Sequence, residues 1–310
     1  MSRLAAVGLL VLTAVSRPIE VPRHVVVVVS ADAVPYQQAL AGLRRGLQAR
    51  TPAVVIDVVT LQGDTARVGD ALATIRGNGS PAALVITLGS LATRALIPRV
   101  RDVPIVAGMI LNPHELQGST NATGVYLEYP VDVEVEWMRR LLPDARRIGV
   151  LYHGDASGQR VADARRIAAG SGGSFAVVAI RVDDPAALPD ALTQLTNRAD
   201  VLWGMNDPVV YNPETARSLV LFSLRNRIPL IGQSSAWVRA GALYALDRDY
   251  DDVGEQCADV VGRILAGDAP RDLSPEPPRK VIYTLNRRTA SDLGIALPAA
   301  VVRGATDVVN

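Results

Sequence analysis

The sequence predicts an α/β protein built from two doubly wound parallel-sheet lobes. Strand and helix patterns alternate along the chain, and this alternation produces right-handed βαβ crossovers. The order of elements also occurs twice, because predicted strands that begin at residues 25, 54, 83 and 103 have counterparts that begin at 148, 175, 201 and 229. At 310 residues, the chain is long enough for two such units. Two lobes of one topology predict a cleft between them.

The first half of the chain carries the clearest strand and helix patterns. Val25–Val29 is an unbroken β-branched run, which is typical of a strand buried on both faces of a parallel sheet. The helix pattern that follows places Leu40, Leu43 and Leu47 on one face. The remaining elements predicted in this half are strands at 54–59, 83–87 and 103–107, and helices around 68–75 and 90–96.

The second half repeats this order with negligible sequence identity to the first. Its predicted strands are at 148–152, 175–180, 201–204 and 229–231. The chain then continues past the second sheet, and the elements predicted there are a strand at 242–246, a helix at 250–265, a strand at 281–285 and a helix at 287–293. This surplus is too small for a third domain, so we expect it to return across the interface and complete both lobes.

The domain boundaries follow from this pattern. The polar stretch 116–129 is predicted to cross between the lobes. The predicted divisions are a signal peptide at 1–16, a first lobe at 24–122 plus 241–269, and a second lobe at 125–236 plus 279–300. Several crossings of the interface predict a hinge.

The N-terminus has the pattern of a secretory signal. A short positive region precedes Leu4–Val15, an apolar run of 12 residues that is shorter than the roughly 20 needed to span a bilayer. Small residues at Ala14–Ser16 suit a signal peptidase. The alternative is an anchor that stays attached. With cleavage, the protein is predicted to be periplasmic or secreted.

Composition excludes several classes of protein. The 32 basic and 31 acidic side chains are nearly balanced and form no long basic run, so the sequence predicts no nucleic-acid partner. One cysteine and three histidines exclude a disulfide framework and a zinc site built on paired thiolates, and no metal is predicted. The single cysteine, Cys257, is predicted to be a buried core residue.

Candidate binding residues follow the predicted strand ends, because open α/β sheets bind ligands at the carboxyl ends of their strands. Their hydroxyl, amide, carboxylate and aromatic groups suit a small polar molecule. The candidates are Ser30, Tyr36, Gly89, Ser90, Asn112, Asn206, Asp207, Ser234 and Trp237. Structural alternatives remain open: the serines suit helix caps, the Asn112–Pro113 and Asn206–Pro208 segments suit turns, and the two aromatic residues suit the core.

Catalytic signatures are missing from the sequence. No GxGxxG follows the first strand, and no GxxxxGK[ST] or GxSxG motif occurs. No Cys–His or paired-carboxylate arrangement stands out. The sequence therefore predicts a binding protein without a cofactor rather than an enzyme.

Several segments together resemble ABC transporter substrate-binding proteins of the tryptophan/tyrosine type. Their order and spacing carry the resemblance, which covers nearly the whole chain after the N-terminal segment. The segments are Val103–Ala107, Asn121–Val125, Leu141–Tyr152, Ile228–Gly232, Arg239–Leu243, Arg263–Gly267 and Asp292–Pro298. The resemblance implies a type I periplasmic binding fold, a monomer that closes on an amino acid, often an aromatic one.

The resemblance also implies roles for the candidate residues. Ser30, Gly89 and Ser90 would contact the ligand's carboxylate, and Asp207 would pair with its ammonium group. An apolar ligand side chain would be covered by Tyr36 or Trp237.

One position departs from the family pattern. Leu111–Asn112 stands where the family usually has Thr-Asp after the last strand of the first lobe. The loss of that carboxylate leaves the ligand class open.

The function predicted from these observations is a secreted solute receptor that delivers its ligand to an ABC permease at the membrane. The alternative is a ligand-sensing module for a membrane signalling protein, which the gene neighbourhood would distinguish. A secreted enzyme that uses the same cleft is the weakest of the three hypotheses, since no nucleophile–base pair is evident.

Overall fold

The computed structural model describes residues 23–51, 53–77 and 81–310. Strands and helices alternate throughout this part of the chain, as the sequence predicts. The strands are β1 (Arg23–Val29), β2 (Val54–Thr60), β3 (Leu84–Leu88), β4 (Ile105–Ile110), β5 (Ala122–Tyr126), β6 (Arg147–Tyr152), β7 (Ala176–Arg181), β8 (Val201–Trp203), β9 (Leu230–Gly232), β10 (Tyr244–Arg248), β11 (Val281–Asn286) and β12 (Asp307–Val309). The helices are α1 (Val34–Arg50), α2 (Val68–Arg76), α3 (Ser90–Leu96), α4 (Val131–Leu141), α5 (Gly154–Gly170), α6 (Leu188–Leu195), α7 (Pro213–Asn226), α8 (Ser235–Ala240), α9 (Tyr250–Ala266), α10 (Arg287–Leu293) and α11 (Ala299–Gly304).

The strands form two sheets of one basic order. Within the described residues, the first sheet has five parallel strands in the order β2-β1-β3-β4-β5. The second has seven strands in the order β12-β11-β10-β9-β8-β6-β7, in which only the β10–β11 pair is antiparallel. The run β7-β6-β8-β9-β10 has the same order as the first sheet. The predicted fold class, two doubly wound lobes of similar topology, is therefore confirmed.

Each sheet is covered by helices on both faces. In β1 the side chains of Val25–Val28 are fully buried, so this strand contacts helices on either side, as its β-branched run predicts. The α1 and α9 helices pack closely on one face of the first sheet. A Cβ atom at Gly42 would overlap the carbonyl oxygen of Asp251, and one at Gly254 would overlap that of Ala39. These two glycines allow the helix backbones to approach each other.

The lobe boundaries differ from the prediction at two strands. The segment 122–126 is not a crossing but strand β5, which pairs with β4 in the first sheet. Tyr244–Arg248 was predicted in the first lobe, but it forms β10 and pairs with β9 and β11 in the second sheet. Local periodicity shows that a segment is a strand, whereas its sheet is decided by the strands with which it pairs.

Within the described residues, the chain passes between the lobes three times. The crossing segments are 127–130 between β5 and α4, Asp249 between β10 and α9, and 277–280 before β11. The strand β12 also extends the second sheet beyond the predicted end at residue 300. The predicted signal peptide at 1–16 lies outside the described residues. In the part of the chain that is described, no helix has both the length and the apolar character to cross a membrane.

Candidate functional site

A cavity of about 250 Å³ lies between the two lobes. Its lining comes from the carboxyl ends of β4, β8 and β9, from β10, from helices α4 and α5, and from the crossing segments. The ends of parallel strands leave loop backbone and helix starts free to meet a ligand, so the position agrees with the rule for open α/β sheets. The cavity is the size of one small molecule.

The inner end of the cavity is mostly apolar and aromatic. Trp203 at the end of β8 and Tyr244 in β10 are each 1% exposed, and both line it. Met138, Ile231 and Leu246 complete the apolar walls. Such walls favour a ligand that carries an apolar or aromatic portion.

Arg160 holds two carboxylates together at one wall of the cavity. Its guanidinium group is paired with Glu128 at 3.4 Å and, more closely, with Glu134. It also donates to the carbonyl oxygen of Tyr129 at 3.3 Å and lies 5.9 Å from the centre of the Trp203 ring. Burial raises the pKa of Glu134 above its usual value, although Arg160 opposes this effect.

Arg248 lies on the hinge side of the cavity and is hydrogen-bonded to backbone oxygens there. Its side chain donates to the carbonyl oxygens of Leu127 at 2.9 Å and Gln233 at 3.2 Å, and it lies 5.2 Å from the centre of the Tyr129 ring. These bonds engage its Nε and Nη1, whereas its Nη2 has no acceptor within the described residues. Asp247 adds a third carboxylate to the lining, beside Glu128 and Glu134. Together with Arg160 and Arg248, the lining carries three acidic and two basic side chains.

Two of the predicted site residues line the cavity. Asn206 follows β8 and is exposed, and Ser234 precedes α8. Ser234 occupies the N-cap position, but its hydroxyl makes no capping hydrogen bond. In the described part of the chain neither side chain has a hydrogen-bond partner, so both are free to meet a ligand.

Ser30, Tyr36 and Gly89 lie together at the edge of the first sheet. A Cβ atom at Gly89 would be 2.6 Å from the Ser30 Oγ and 2.7 Å from a Tyr36 ring carbon, and the φ of +100° also favours glycine there. The Ser30 Oγ accepts a hydrogen bond from the Ala92 N–H at 3.0 Å, so it engages the first turn of α3 and is not the N-cap of α1, which is Ala33. Tyr36 packs against the same apolar core of the first lobe as Tyr250, which lines the cavity.

Ser90 is engaged by an internal carboxylate, which argues against its predicted contact with a ligand carboxylate. Its hydroxyl donates to Glu115 at 2.8 Å, and the same Glu115 oxygen accepts the Leu111 N–H at 2.7 Å. Arg94 pairs with the other oxygen at 3.0 Å. A second carboxylate at Ser90 would be repelled by Glu115.

Asn112 caps a short 3₁₀ helix, Pro113–Leu116, by accepting the His114 N–H at 3.2 Å. It lies on a neighbouring groove and not on the cavity. The turn alternative therefore describes this residue.

The structure contradicts the ligand role predicted for Asp207. This residue is 0% exposed. Its carboxylate accepts hydrogen bonds from the His153 N–H at 2.6 Å, the Ser157 hydroxyl at 2.7 Å, and the N–H groups of Val209 and Val210 at 3.1 and 3.2 Å. It joins the loops after β6 and β8 and presents no oxygen to the cavity.

The geometry gives no support to the ligand role predicted for Trp237, which lies on another groove of the second lobe. Its ring packs edge-on against Tyr211 at 6.1 Å, within the second lobe and away from the cavity. The core alternative describes it. Trp203 is the tryptophan that lines the cavity, and it ends a strand that the sequence does predict.

Sequence reasoning missed the charged lining residues. Glu134 and Arg160 lie within α4 and α5 and do not follow strands, where open α/β sheets are expected to place ligand contacts. Asp247 and Arg248 end β10, and the charged pair that ends the apolar run was the available signal. The described residues contain no cluster of metal-ligating side chains.

Two doubly wound lobes, joined by crossing segments around one cavity, define the two-lobed type I class of solute-binding proteins. The match to a family model is in agreement. The model described as "ABC transporter substrate binding protein" matches residues 24–309, and the chain belongs to this family. The predicted resemblance is thereby confirmed. Members bind solutes and are not enzymes, so the prediction of a binding protein rather than an enzyme is confirmed too.

Similar proteins agree with this class. A tyrosine-binding protein from Clostridioides difficile is 22% identical over 199 residues, which are 61% of this chain and 56% of the relative. The match thus spans little more than half of that protein's length.

Two solved structures show the same fold. A Streptococcus pneumoniae ABC domain in complex with L-Trp aligns with a TM-score of 0.62 and 22% identity, over 93% of this chain and 99% of the other. The ligand-free, open structure of a substrate-binding protein with adhesive properties from Clostridium difficile aligns with a TM-score of 0.76 and 17% identity, over the same shares.

Proposed function

We propose that this protein captures one small amino-acid-like molecule in the cavity between its lobes and presents it to an ABC permease. The observation that carries the proposal is the cavity itself, which combines residues of both lobes, aromatic walls and acidic groups. The tyrosine and tryptophan named for two similar proteins support an amino acid as the ligand class.

The ligand's polar end is assigned to the mouth of the cavity. Asn206 offers an amide and Ser234 a hydroxyl, and neither has a partner in the described residues. We expect the cluster of Ser30, Tyr36 and Gly89 to meet the same end of the ligand from the first lobe when the lobes close. The ligand's other end enters between Trp203 and Tyr244.

Contacts with both lobes supply the mechanism. A ligand that contacts both lobes stabilises the closed arrangement more than the open one, so it shifts the population toward closure. The closed form is what a permease would recognise. Delivery to a permease requires a location outside the cytoplasmic membrane, which agrees with the secretory pattern predicted at the N-terminus.

Thermal unfolding of the purified chain with each of the common amino acids tests the proposal. A ligand at 100 times its Kd adds about 2.7 kcal/mol to the free energy of unfolding, which raises the Tm by roughly 5 °C. We expect such a rise with at least one amino acid. A flat response across the panel would contradict the proposal.

Two serine variants separate the cavity from the rest of the molecule. Ser234→Ala removes a free hydroxyl that lines the cavity, and we expect a smaller ligand-induced rise in Tm. Ser223→Ala removes a buried hydroxyl that has no partner and lies away from the cavity, so the ligand-induced rise should not change. Equal effects of the two variants would contradict the assigned position of the ligand.

A further inference from the structure

The Tyr244 hydroxyl is a polar group without a protein partner at the inner end of the cavity. The residue is 1% exposed, and its hydroxyl makes no hydrogen bond within the described residues. Among those residues, only the Ser223 Oγ is both fully enclosed and without a hydrogen-bond partner. The Tyr244 hydroxyl also has no partner, so it is not fully enclosed. The small exposed area of Tyr244 therefore includes its hydroxyl, and it faces the cavity that the residue lines. Buried hydroxyls nearly always have a partner, so this one points to a ligand.

Glu134 supplies a free acceptor beside that hydroxyl. Its Oε2 is taken by Arg160, whereas its Oε1 accepts no hydrogen bond from the described residues. Its side chain is 18% exposed and lines the same cavity. After burial, the negative charge of Glu134 is the second cause of the raised pKa of the Tyr244 hydroxyl, and both residues line the same cavity.

Apolar side chains share the lining with this pair. Met138, Ile231 and Leu246 add no polar group other than the weak thioether acceptor of Met138, and Arg160 remains the partner of the Glu134 Oε2. A ligand that fills the inner end displaces water from both Glu134 and Tyr244. Each then needs a partner on the ligand, because an unpaired buried polar group is costly.

We propose that Glu134 and Tyr244 select a ligand with a hydrogen-bond-donating head group, a hydroxyl or an ammonium, at the end that enters the second lobe. The inference rests on the proposed function and specifies its ligand. A hydroxyl donates to Glu134 and accepts from Tyr244, and an ammonium donates to both. An analogue with a bare apolar end leaves both groups unpaired and binds weakly.

Matched ligand pairs test this selection on the full chain by calorimetric titration. L-Tyrosine and L-phenylalanine differ by one hydroxyl at the end of the side chain. L-Lysine and L-norleucine differ by one ammonium group at that end. We expect the donor-bearing member of one pair to bind about tenfold more tightly or better, equivalent to at least one well-formed hydrogen bond. The pair that shows the difference identifies the head group.

Two tyrosine variants test the assignment to residues. Tyr244→Phe removes a hydroxyl without a protein partner, so the unliganded Tm should be unchanged or higher, while discrimination within the pair falls about tenfold. Tyr283→Phe is the control, because its hydroxyl donates to the Val301 carbonyl at 2.7 Å, away from the cavity. It should lower the unliganded Tm and leave discrimination intact.

The outcomes separate the inference from the proposed function. No binding by any amino acid would overturn the proposed function. Equal binding within both pairs would overturn the inference alone. A lower unliganded Tm in Tyr244→Phe would also overturn the inference, since it would show that the hydroxyl has a partner inside the protein. Loss of discrimination in Tyr244→Phe and in Glu134→Gln, but not in Tyr283→Phe, would support it.

Discussion

The hydroxyl of Tyr129 donates to the carbonyl oxygen of Asp247 at 2.7 Å, and it lies 3.0 Å from that of Lys280. Tyr129 belongs to the first crossing segment, Asp247 adjoins the second, and Lys280 ends the third. Lys280 is also paired with Asp249. One buried hydroxyl therefore ties together the crossing segments on which the lobes move relative to each other.

Tyr129→Phe should loosen the hinge. Loss of this buried hydrogen bond is expected to lower the free energy of unfolding by about 1–2 kcal/mol, measured by urea denaturation. Tyr283→Phe is a matched control, because it loses a tyrosine-to-carbonyl bond inside the second lobe. Both variants should lose stability, but amide hydrogen exchange at 247–249 and 278–281 should accelerate only in Tyr129→Phe. Equal acceleration in both would contradict a role at the hinge.

Asp207→Ala should affect stability and not ligand binding. The variant loses four hydrogen bonds to a fully buried carboxylate, so we expect a loss of about 2–4 kcal/mol in the free energy of unfolding. Asp184→Ala, which removes an exposed carboxylate bonded to one backbone N–H, should cost less than about 1 kcal/mol. A weaker ligand affinity in Asp207→Ala, at a temperature where it is folded, would restore its predicted ligand role.

Cys257 should react with thiol reagents only when the first lobe opens. It is fully buried, and burial raises the pKa of its thiol to about 12, so the reactive thiolate is scarce at neutral pH. A Cβ atom at Gly108 would lie 2.7 Å from its Sγ, which shows how closely the site is packed. We expect negligible labelling by a maleimide in buffer and stoichiometric labelling in denaturant. Rapid labelling of the native protein would contradict this burial.

Glu134 and Asp200 should contribute to the pH dependence of stability with opposite signs. Glu134 has a raised pKa in the folded state, so it holds its proton more tightly there, and its ionisation costs stability as pH rises above its ordinary pKa. For Asp200, burial raises the pKa, but hydrogen bonds from the Arg147 side chain and the N–H groups of Arg146 and Arg147 outweigh it. Its pKa is therefore lowered, and its stabilisation is lost as pH falls toward that value.

Urea denaturation at several pH values between 3 and 7 measures both effects. The wild type should lose stability relative to Glu134→Gln as pH rises from about 4 through the raised folded pKa. Relative to Asp200→Asn, it should gain stability as pH rises over the acid range. Slopes of the same sign for the two variants would contradict the assigned directions.

Local patterns in the sequence were sufficient for the order of elements and the fold class. The Val25–Val29 run and the leucines of α1 report burial through the chemistry of neighbouring residues, which needs no knowledge of distant contacts. The same holds for Ser234 and Asn206, since a strand end in an open α/β sheet faces the cleft whichever residues lie opposite it.

The roles of the individual polar residues and the sheet to which each strand belongs were determined by tertiary contacts. Asp207 and Asp247 both follow or end a strand, and nothing local distinguishes them. The His153 and Ser157 groups that engage Asp207 come from another loop, more than 45 residues earlier in the chain. The placement of β10 likewise depends on its pairing with β9 and β11. The junction of Tyr129 with Asp247 and Lys280 joins residues over 100 positions apart. The free energy of a polar side chain depends on which groups reach it in the folded chain, and those groups are assembled only by tertiary packing.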